Sequence, residues 1–332
     1  MRILLTHTPD ALQNYYGEDA LAALRRHGEV KLHLGDAPLS TALLIEAARD
    51  CQVIVSDRQT PGEAAVFEAL PDLVAFLRCA IDIRNIDRAA ADRAGVLVTR
   101  ATAGFIDAVA ELAIGFMVDL SRGVSAAVRA YQAQQSPAIR MGIQLSCSSV
   151  GIIGYGAIGR RVGELAHALG MTVLASDPQA KIAEPYVEQV ALTHLLHAAK
   201  FVICLAPANA QTEKLMDART FAAMRPGSYF INLSRGELVD EAALAAALDS
   251  GHLAGAALDV GRAPDQMPSP FLAQRSDVIA TPHIGGLTPE AVSHQAFDTV
   301  QQVAALVAGQ VPPGAVNASV AKRLARLGVT VS

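Results

Sequence analysis

Three spaced glycines, Gly154, Gly156 and Gly159, are the first feature of this sequence whose spacing indicates a chemical role. They follow an apolar stretch at 150–153 that is typical of a buried strand, and they precede 160–169, where apolar residues recur with helical spacing. Such a turn lets backbone approach a pyrophosphate, and the N–H groups of the following helix point at it. The spacing predicts a dinucleotide site formed by Gly154, Tyr155, Gly156, Ala157, Ile158 and Gly159.

An acidic residue follows the next predicted strand. Asp177 comes directly after the apolar stretch 171–176 and lies 23 residues beyond Gly154. This is close to the spacing of about 20 residues expected for an acid that binds the adenosine ribose. A carboxylate at this place accepts hydrogen bonds from the ribose hydroxyls and repels a 2′-phosphate. The sequence therefore predicts NAD rather than NADP as the cofactor.

Three more residues with reactive side chains follow later predicted strands. Arg235 comes after the stretch 229–233, Asp259 follows an apolar stretch, and His283 follows a Thr-Pro pair. In open α/β sheets, ligands bind beyond the carboxyl ends of the strands. Each residue alone has a simpler explanation, as a surface ion pair, a loop cap or an ordinary loop histidine. Together they suggest an anion clamp, a carboxamide anchor and a general acid/base.

Composition limits the class of protein. The chain has 332 residues, of which 52% are hydrophobic and 18% charged, so two folded domains are expected rather than a disordered chain. A net charge of −5 without any basic run disfavours nucleic acid and anionic membranes as partners. The cysteines are scattered and no apolar run reaches transmembrane length. We therefore expect reduced thiols, no metal site and a cytoplasmic protein.

Strand-like and helix-like segments alternate over residues 1–100 and again beyond the glycine turn. Such alternation predicts α/β domains with parallel sheets. Residues 1–100 lack a glycine fingerprint, so this domain is not expected to bind a dinucleotide by that device. The stretch 109–131 is predicted to form a single long helix that is apolar on more than one face, and 289–307 to form a final amphipathic helix.

Motifs along nearly the whole chain resemble those of the D-isomer-specific 2-hydroxyacid dehydrogenases, a family that includes phosphoglycerate, glycerate and D-lactate dehydrogenases. The similar stretches are the glycine fingerprint, 109–111, 224–236, 239–241, 250–260 and 281–283, and they occur in the family's order. The combination is much more specific than any one motif, because a glycine turn between a strand and a helix is common by itself.

The resemblance implies an α/β fold of two doubly wound domains, in which a Rossmann NAD-binding domain is inserted into a flavodoxin-like substrate domain. The substrate domain would comprise 1–100 plus 287–332. The NAD-binding domain would comprise 101–286, including a crossover helix at 109–131 that would contribute to a homodimer interface.

The resemblance also implies a reaction, the NAD-dependent interconversion of a D-2-hydroxyacid and a 2-ketoacid. Arg235 would hold the substrate carboxylate and polarise the keto oxygen, His283 would exchange a proton with that oxygen, and Asp259 would bind the nicotinamide carboxamide. Histidine suits reversible proton transfer near neutral pH. The predicted cofactor site includes, besides these three and the residues named above, Ala206, Pro207, Leu233, Ser234, Gly285 and Gly286.

The sequence departs from the family where a glutamate normally pairs with the histidine. The expected position is Pro264, and the nearest acid is Asp265. Asp265 is either a replacement partner for His283 or a solvated loop residue. The sequence leaves both interpretations open.

A second departure lies in the family's substrate loop, which corresponds to 79–85. Asp82 stands where the family has a glycine, and Arg84 where it has an acid. Residues two apart in an extended segment share a face, so the two side chains could form a compensating ion pair. Otherwise Asp82 would face the pocket and weaken the binding of a simple 2-ketoacid anion. The predicted substrate-binding residues are Ala80, Ile81, Asp82, Arg58 and Arg100, and the two arginines also fit an ordinary surface role.

Two other functions fit the same residues. An enzyme with this fold and cofactor could use another hydride donor, as formate and phosphite dehydrogenases do. Alternatively, the protein could be an NAD(H)-sensing module with little turnover, similar to the family's corepressor relatives. The missing glutamate favours the sensor, whereas the presence of Arg235 together with His283 favours the enzyme.

Overall fold

The computed structural model describes residues 1–330, which form two compact units. The first unit comprises Met1–Gly104 together with the chain from Thr288 onward, and the second comprises Phe105–Leu287. Each unit contains a parallel sheet flanked by helices, which confirms the predicted α/β fold class.

Parallel strands in the order β2-β1-β3-β4-β5 form the sheet of the first unit. The strands are β1 (Arg2–Leu5), β2 (Glu29–Leu32), β3 (Val53–Ser56), β4 (Ala75–Arg78) and β5 (Leu97–Arg100). Every residue of β3 and β4 is buried. This is the pattern expected of central strands in a parallel sheet that is covered on both faces.

The helices of the first half of the chain begin at polar caps where the sequence offers them. They are α1 (Pro9–Tyr15), α2 (Glu18–Arg25), α3 (Thr41–Ala47), α4 (Ala64–Ala69) and α5 (Arg88–Ala94). The side chains of Thr8, Ser40 and Asp87 each accept a hydrogen bond from a backbone N–H in the first turn of α1, α3 and α5.

The single long helix predicted at 109–131 is wrong, because two helices, α6 (Ile106–Arg122) and α7 (Val124–Gln132), occupy this region. Gly123 lies between them with φ of +66°. A residue in this left-handed conformation ends an α-helix, and glycine adopts it without steric strain. The apolar pattern continues across the glycine and therefore hides the break.

The sheet of the second unit is also parallel, in the order β12-β11-β10-β9-β6-β7-β8. Its strands are β6 (Ser149–Ile153), β7 (Thr172–Ser176), β8 (Val187–Gln189), β9 (Phe201–Cys204), β10 (Ser228–Asn232), β11 (Leu253–Leu258) and β12 (Val278–Ala280). The chain runs outward from β6 to β8 and then returns to β9 on the other side of β6. The strand order thus reverses between β6 and β9, the place where such sheets bind ligands.

The remaining helices cover both faces of this sheet or close the chain. They are α8 (Ala157–Ala168), α9 (Leu192–Ala198), α10 (Ala218–Ala223), α11 (Glu241–Asp249), α12 (Pro270–Ala273) and, in the first unit, α13 (Pro289–Val307). Neighbouring residues of β10 pack into different hydrophobic cores on the two faces of the sheet. Phe230 packs with residues of α10 and α11, and Ile231 packs with residues of α6 and α8. None of the described helices is long and apolar enough to span a membrane.

Candidate cofactor and catalytic site

Gly154 brings the loop after β6 against the loop after β9. It has φ of +90°, and a Cβ added to it would lie 2.6 Å from the backbone nitrogen of Ala206. The N–H of Leu205 donates to the carbonyl of Ile153 at 2.8 Å. Only glycine permits this approach, so the first glycine of the fingerprint, Ala206 and Pro207 lie together where the strand order reverses.

Gly156 presents the space that a dinucleotide needs. Apart from Gly156 itself and its two chain neighbours, no heavy atom of the described residues lies within 4 Å of the place where its Cβ would be. It is the N-cap of α8, and no side chain caps this helix, so N–H groups of the first turn remain available to an anion. A Cβ on Gly159 would lie 2.5 Å from the carbonyl oxygen of Gly154. The geometry therefore fits a pyrophosphate at the start of α8.

Asp177 fastens the fingerprint turn to the end of β7. Its carboxylate accepts hydrogen bonds from the backbone N–H groups of Tyr155 at 2.9 Å, Gln179 at 2.8 Å and Ala180 at 3.0 Å. Partial burial would raise the pKa of Asp177, but these backbone donors outweigh it and hold the pKa below its usual value. The carboxylate is thus ionised at neutral pH and can repel a 2′-phosphate.

The three predicted reactive residues follow strands that end level with one another. Asn232 of β10 pairs in register with Leu258 of β11, and Leu258 pairs with Ala280 of β12. Arg235, Asp259 and His283 therefore lie at the same edge of the sheet. Each lies within a few residues of the end of its strand.

Asn232, which the sequence analysis did not single out, shapes the turn that carries Arg235. It is 1% exposed. Its Nδ2 donates to the carbonyl of Arg235 at 2.9 Å, and its Oδ1 accepts from the N–H of Ser234 at 3.1 Å. The hydroxyl of Ser234 in turn donates to the carbonyl of Ala206. A polar residue at the end of an apolar strand is the signal that could have identified Asn232.

Asp259 anchors the loop that carries His283. This side chain is 2% exposed, and its Oδ1 accepts from the Thr281 hydroxyl at 2.6 Å and from the N–H of Ile284 at 2.8 Å. Its Oδ2 accepts from the N–H of Gly285 at 2.8 Å. The structure thus gives Asp259 a positioning role that sequence reasoning missed, and its contact with the nicotinamide stays a prediction.

His283 is oriented by a backbone carbonyl. Its Nδ1 lies 3.0 Å from the carbonyl oxygen of Asp265, and a carbonyl can only accept, so Nδ1 must carry the proton of this hydrogen bond. Asp265 and Gln266 have φ of +60° and +61°. These two left-handed residues turn the carbonyl of Asp265 toward the ring. Whether the carboxylate of Asp265 also acts on His283 stays a prediction.

Two glycines join the Arg235 turn to the segment that carries Asp265. A Cβ on Gly236 would lie 2.2 Å from the carbonyl carbon of Gly261, so the two backbones are in direct contact. The N–H of Gly261 donates to the carbonyl of Gln266 at 2.8 Å. The turn of Arg235 and the partner of His283 therefore form one packed network.

Comparison with known proteins agrees with this geometry. The model of the NAD-binding domain of D-isomer specific 2-hydroxyacid dehydrogenases matches residues 114–285. A glyoxylate reductase of Korarchaeum cryptofilum is 30% identical over 313 residues, which cover 92% of this chain and 94% of that protein. The chain belongs to the D-isomer-specific 2-hydroxyacid dehydrogenase family. The predicted family and the predicted cofactor, NAD, are confirmed, and the second unit contains the NAD-binding domain.

Other similar proteins are longer than this chain or less similar to it in sequence. D-3-phosphoglycerate dehydrogenase of Mycobacterium leprae is 34% identical over 295 residues, which are 87% of this chain but 55% of that protein, so the chain spans about half its length. A solved structure from Thermus thermophilus is 28% identical with a TM-score of 0.84, covering 95% of this chain and 100% of that one. D-lactate dehydrogenase of Lactobacillus jensenii, solved with NAD⁺, is 24% identical with a TM-score of 0.82 and shares the fold over 95% and 99% of the chains.

The loop that departs from the family's substrate loop contains the ion pair considered above. Arg84 Nη2 lies 2.8 Å from Asp82 Oδ2, and Arg84 Nε lies 3.1 Å from both carboxylate oxygens. The N–H of Arg84 also donates to Asp82 Oδ1 at 3.0 Å. The two side chains are therefore matched to each other, and their charges sum to about zero.

The other predicted substrate-binding residues lie at the same edge of the first unit's sheet. Ala80 is buried, and its carbonyl accepts from the N–H of Ala101 at 3.0 Å. Ile81 is partly buried, whereas Arg58 and Arg100 are exposed. Arg58 follows β3, Ala80 and Ile81 follow β4, and Arg100 is the last residue of β5. Their contacts with substrate stay predictions.

Proposed function

We propose that the protein is an NAD-dependent oxidoreductase that interconverts a D-2-hydroxyacid and a 2-ketoacid. The observation that carries this proposal is the hydrogen bond from His283 Nδ1 to the carbonyl of Asp265 at 3.0 Å. Because Nδ1 holds the proton of that bond, Nε2 is the nitrogen that is left to exchange a proton with substrate. A histidine held in this tautomer suits a reversible acid/base reaction.

The proton has a defined route in each direction. When the hydroxyacid is oxidised, Nε2 of neutral His283 accepts the hydroxyl proton, and the ring becomes an imidazolium that still donates through Nδ1 to the Asp265 carbonyl. When the ketoacid is reduced, Nε2–H donates to the keto oxygen. NAD, when bound, supplies the hydride acceptor or donor.

Arg235 provides the complementary charge for an α-ketoacid or α-hydroxyacid. Its planar guanidinium can bind a carboxylate through two parallel N–H groups and can polarise a neighbouring carbonyl. Its Nη1 donates to the carbonyl of Ser234 at 2.7 Å, and Asn232 holds the turn as described above. Asp259, tied to the loop of His283, would receive the carboxamide of the nicotinamide.

The first unit would serve as the substrate domain. The backbone of Ala80 and Ile81 is proposed to bind the substrate carboxylate, and the Asp82–Arg84 pair leaves little net charge to oppose an anion. Arg58 and Arg100 are further candidates for anionic groups of the substrate. In this proposal the substrate domain is 1–100 plus 287–332, and the NAD-binding domain is 101–286.

The proposal extends to assembly and location. Val118, Val124, Val128 and Tyr131 are exposed on α6 and α7, which supports a homodimer formed through these crossover helices. We place the enzyme in the cytoplasm, with a small-molecule substrate and with neither nucleic acid nor a membrane as a partner. Size-exclusion chromatography with light scattering tests the dimer, and a mass of one chain at micromolar concentration would reject it.

A panel of 2-ketoacids tests the activity. The protein is mixed with NADH and with glyoxylate, hydroxypyruvate, pyruvate and bulkier ketoacids, and the NADH absorbance is followed. We expect at least one ketoacid to be reduced, and His283→Asn to lower kcat by about 10²- to 10⁴-fold. The matched control, His197→Asn, alters an exposed histidine of α9 and is expected to keep the parent rate.

An NAD(H)-sensing module is the second candidate, favoured by Pro264 at the family's glutamate position. Tight NADH binding without oxidation across the whole panel would support this candidate against the dehydrogenase. Reduction of NAD by formate or phosphite, with no hydroxyacid oxidised, would instead indicate a different hydride donor.

A further inference from the structure

Arg78, the last residue of β4, is the largest fully buried side chain among the described residues. Its Nη1 donates to the carbonyl of Asp57, and its Nη2 donates to the carbonyl of Thr60 at 2.9 Å and to Asn85 Oδ1 at 2.8 Å. Arg78 therefore binds both ends of the short loop 57–60, which follows β3. It also binds Asn85, which comes directly after Arg84 in the substrate loop.

Asn85 holds the same loop from its middle. Its Nδ2 lies 3.1 Å from the carbonyl oxygen of Arg58, 3.5 Å from that of Gln59 and 3.4 Å from that of Thr60. Arg78 and Asn85 together thus contact the backbone carbonyl oxygens of all four residues of the loop 57–60. We call these two side chains the carbonyl clamp.

The loop is also closed by its own first residue. Asp57 Oδ1 accepts from the N–H of Thr60 at 2.8 Å, and the N–H of Asp57 donates to the hydroxyl of Thr6 at 3.1 Å. Asp57, Thr60 and Thr6 are buried, whereas Arg58 and Gln59 are exposed. With the carbonyls held by the clamp, the loop presents the side chains of Arg58 and Gln59 to solvent.

The clamp lies at the functional edge of the first unit's sheet. Ser56 of β3 pairs in register with Arg78 of β4, so the loop 57–60 and the substrate loop 79–85 leave neighbouring strands at the same level. This is the carboxyl edge of a parallel sheet, where α/β domains bind their ligands. Asn85, the last residue of the substrate loop, is itself part of the clamp and joins the two loops.

Packing alone does not explain a guanidinium at this position. Burial lowers the pKa of Arg78 to about 10, while Asp57 and Asp82 oppose that change, so the side chain is charged at neutral pH. A buried cation is costly unless its donors are satisfied. The two terminal nitrogens of Arg78 have partners, whereas its Nε has none among the described residues. An apolar side chain would fill the space without that cost. A rigid fork of N–H donors is what the carbonyls of the loop require.

We propose that Arg78 and Asn85 are positioning residues for substrate binding, which act by fixing the loop 57–60 against the substrate loop. The proposal rests on the proposed function, because the substrate is the ligand that these loops would meet. NADH binds to the second unit and should not depend on the clamp.

Three variants test the clamp by steady-state kinetics with NADH and the best ketoacid of the panel. Arg78→Lys keeps the charge but loses the fork, Asn85→Ala removes the central donor, and Asn85→Ser is a milder change. We expect Arg78→Lys and Asn85→Ala to raise KM for the ketoacid by about tenfold or more, because small displacements of positioning groups have effects of this size. The kcat should fall by less, and the Kd of NADH should stay within about twofold of the parent value.

Leu44→Ala is the matched control for lost stability. Leu44 is a fully buried core residue of α3, and its truncation is expected to lower the Tm at least as much as the clamp variants do. It should leave KM unchanged. If Leu44→Ala raises KM as much as Arg78→Lys does, or if neither Arg78→Lys nor Asn85→Ala raises KM, the positioning role is rejected.

Hydrogen exchange separates failure of the clamp from failure of the proposed function. If the parent protein reduces no ketoacid, the proposed function fails, and the clamp is then judged by amide exchange at residues 58–60. Faster exchange there in Arg78→Lys, Asn85→Ala and, to a smaller extent, Asn85→Ser, but not in Leu44→Ala, supports the clamp. Unchanged exchange at residues 58–60 in the three clamp variants overturns the clamp. The same measurement decides for any variant that folds too poorly for kinetics.

Discussion

The two units hold their loops at the carboxyl edge of a sheet with buried charges of opposite sign. In the second unit the carboxylate of Asp259 accepts from the backbone N–H groups of Ile284 and Gly285, and in the first unit the guanidinium of Arg78 donates to the carbonyls of Asp57 and Thr60. A loop that turns its N–H groups inward needs an acceptor, and a loop that turns its carbonyls inward needs a donor. The backbone direction of the loop therefore decides the sign of the buried charge.

The largest effect is expected from Asp259→Asn, which removes one acceptor oxygen from the anchor of the His283 loop. A buried donor is left unsatisfied, and the loop is free to move. We expect kcat/KM for the ketoacid to fall by about 10²-fold or more, because His283 loses its position. Steady-state kinetics measure this change. Asp277→Asn, a carboxylate paired with Arg275 in the same unit, is the control, and equal losses in both variants would contradict the anchor role.

The variant Asp265→Asn tests whether the side chain of Asp265 acts on His283 in addition to its backbone carbonyl. The carbonyl of Asp265 accepts from His283, and a carboxylate beside an imidazolium favours the charged ring. We therefore expect Asp265→Asn to move the acidic limb of the pH dependence of kcat/KM. Asp265→Gly, which keeps φ near +60° accessible, should behave alike. An unchanged limb in both variants would dismiss the carboxylate of Asp265 as the partner of His283 and leave its carbonyl as the group that orients the ring.

Asp177 is a partly exposed anchor of the same kind as Asp259, and its expected effect is smaller. Its pKa is lowered in the folded protein, so its contribution to stability is complete above its unfolded pKa of about 3.9. This contribution is lost as the pH falls through the lower folded value. In Asp177→Asn, we expect the fall in unfolding free energy between pH 5 and pH 3 to be smaller by about 1 kcal/mol or less.

Urea unfolding at several pH values measures this difference. The same variant should also use NADPH better relative to NADH, because the charge that repels a 2′-phosphate is gone. An identical pH dependence in the two proteins, or a parent that already uses both cofactors equally, would contradict this role of Asp177.

The smallest effect on stability is expected for the Asp82–Arg84 pair, because it is an ion pair at the surface. Arg84 is 55% exposed and Asp82 25% exposed, and such pairs contribute about 0–1 kcal/mol. We expect the double variant Asp82→Asn with Arg84→Gln to keep the unfolding free energy within about 1 kcal/mol of the parent. Asp82→Asn alone should lower KM for an anionic substrate, because it removes the carboxylate that neutralises Arg84. A higher KM in that single variant would contradict the compensating role.

Residues that act through their own backbone were the easiest to predict from sequence. Gly154, Gly156 and Gly159 lie where their spacing indicates, since a strand–turn–helix unit is local in sequence. Asn232 and Arg78 were not predicted, because their partners come from other segments. The break at Gly123 was missed for a local reason, since the apolar pattern runs through it.

The sequence by itself determined the α/β class, the family and NAD as the cofactor, because these depend on short motifs whose order along the chain is visible. Only the tertiary structure decided how the sites are held together. It showed that the carbonyl of Asp265 meets His283, that Asp259 holds the His283 loop, and that Arg78 with Asn85 holds the loop 57–60. The physical reason is that a buried polar group must find partners wherever the fold provides them, and those partners are distant in sequence.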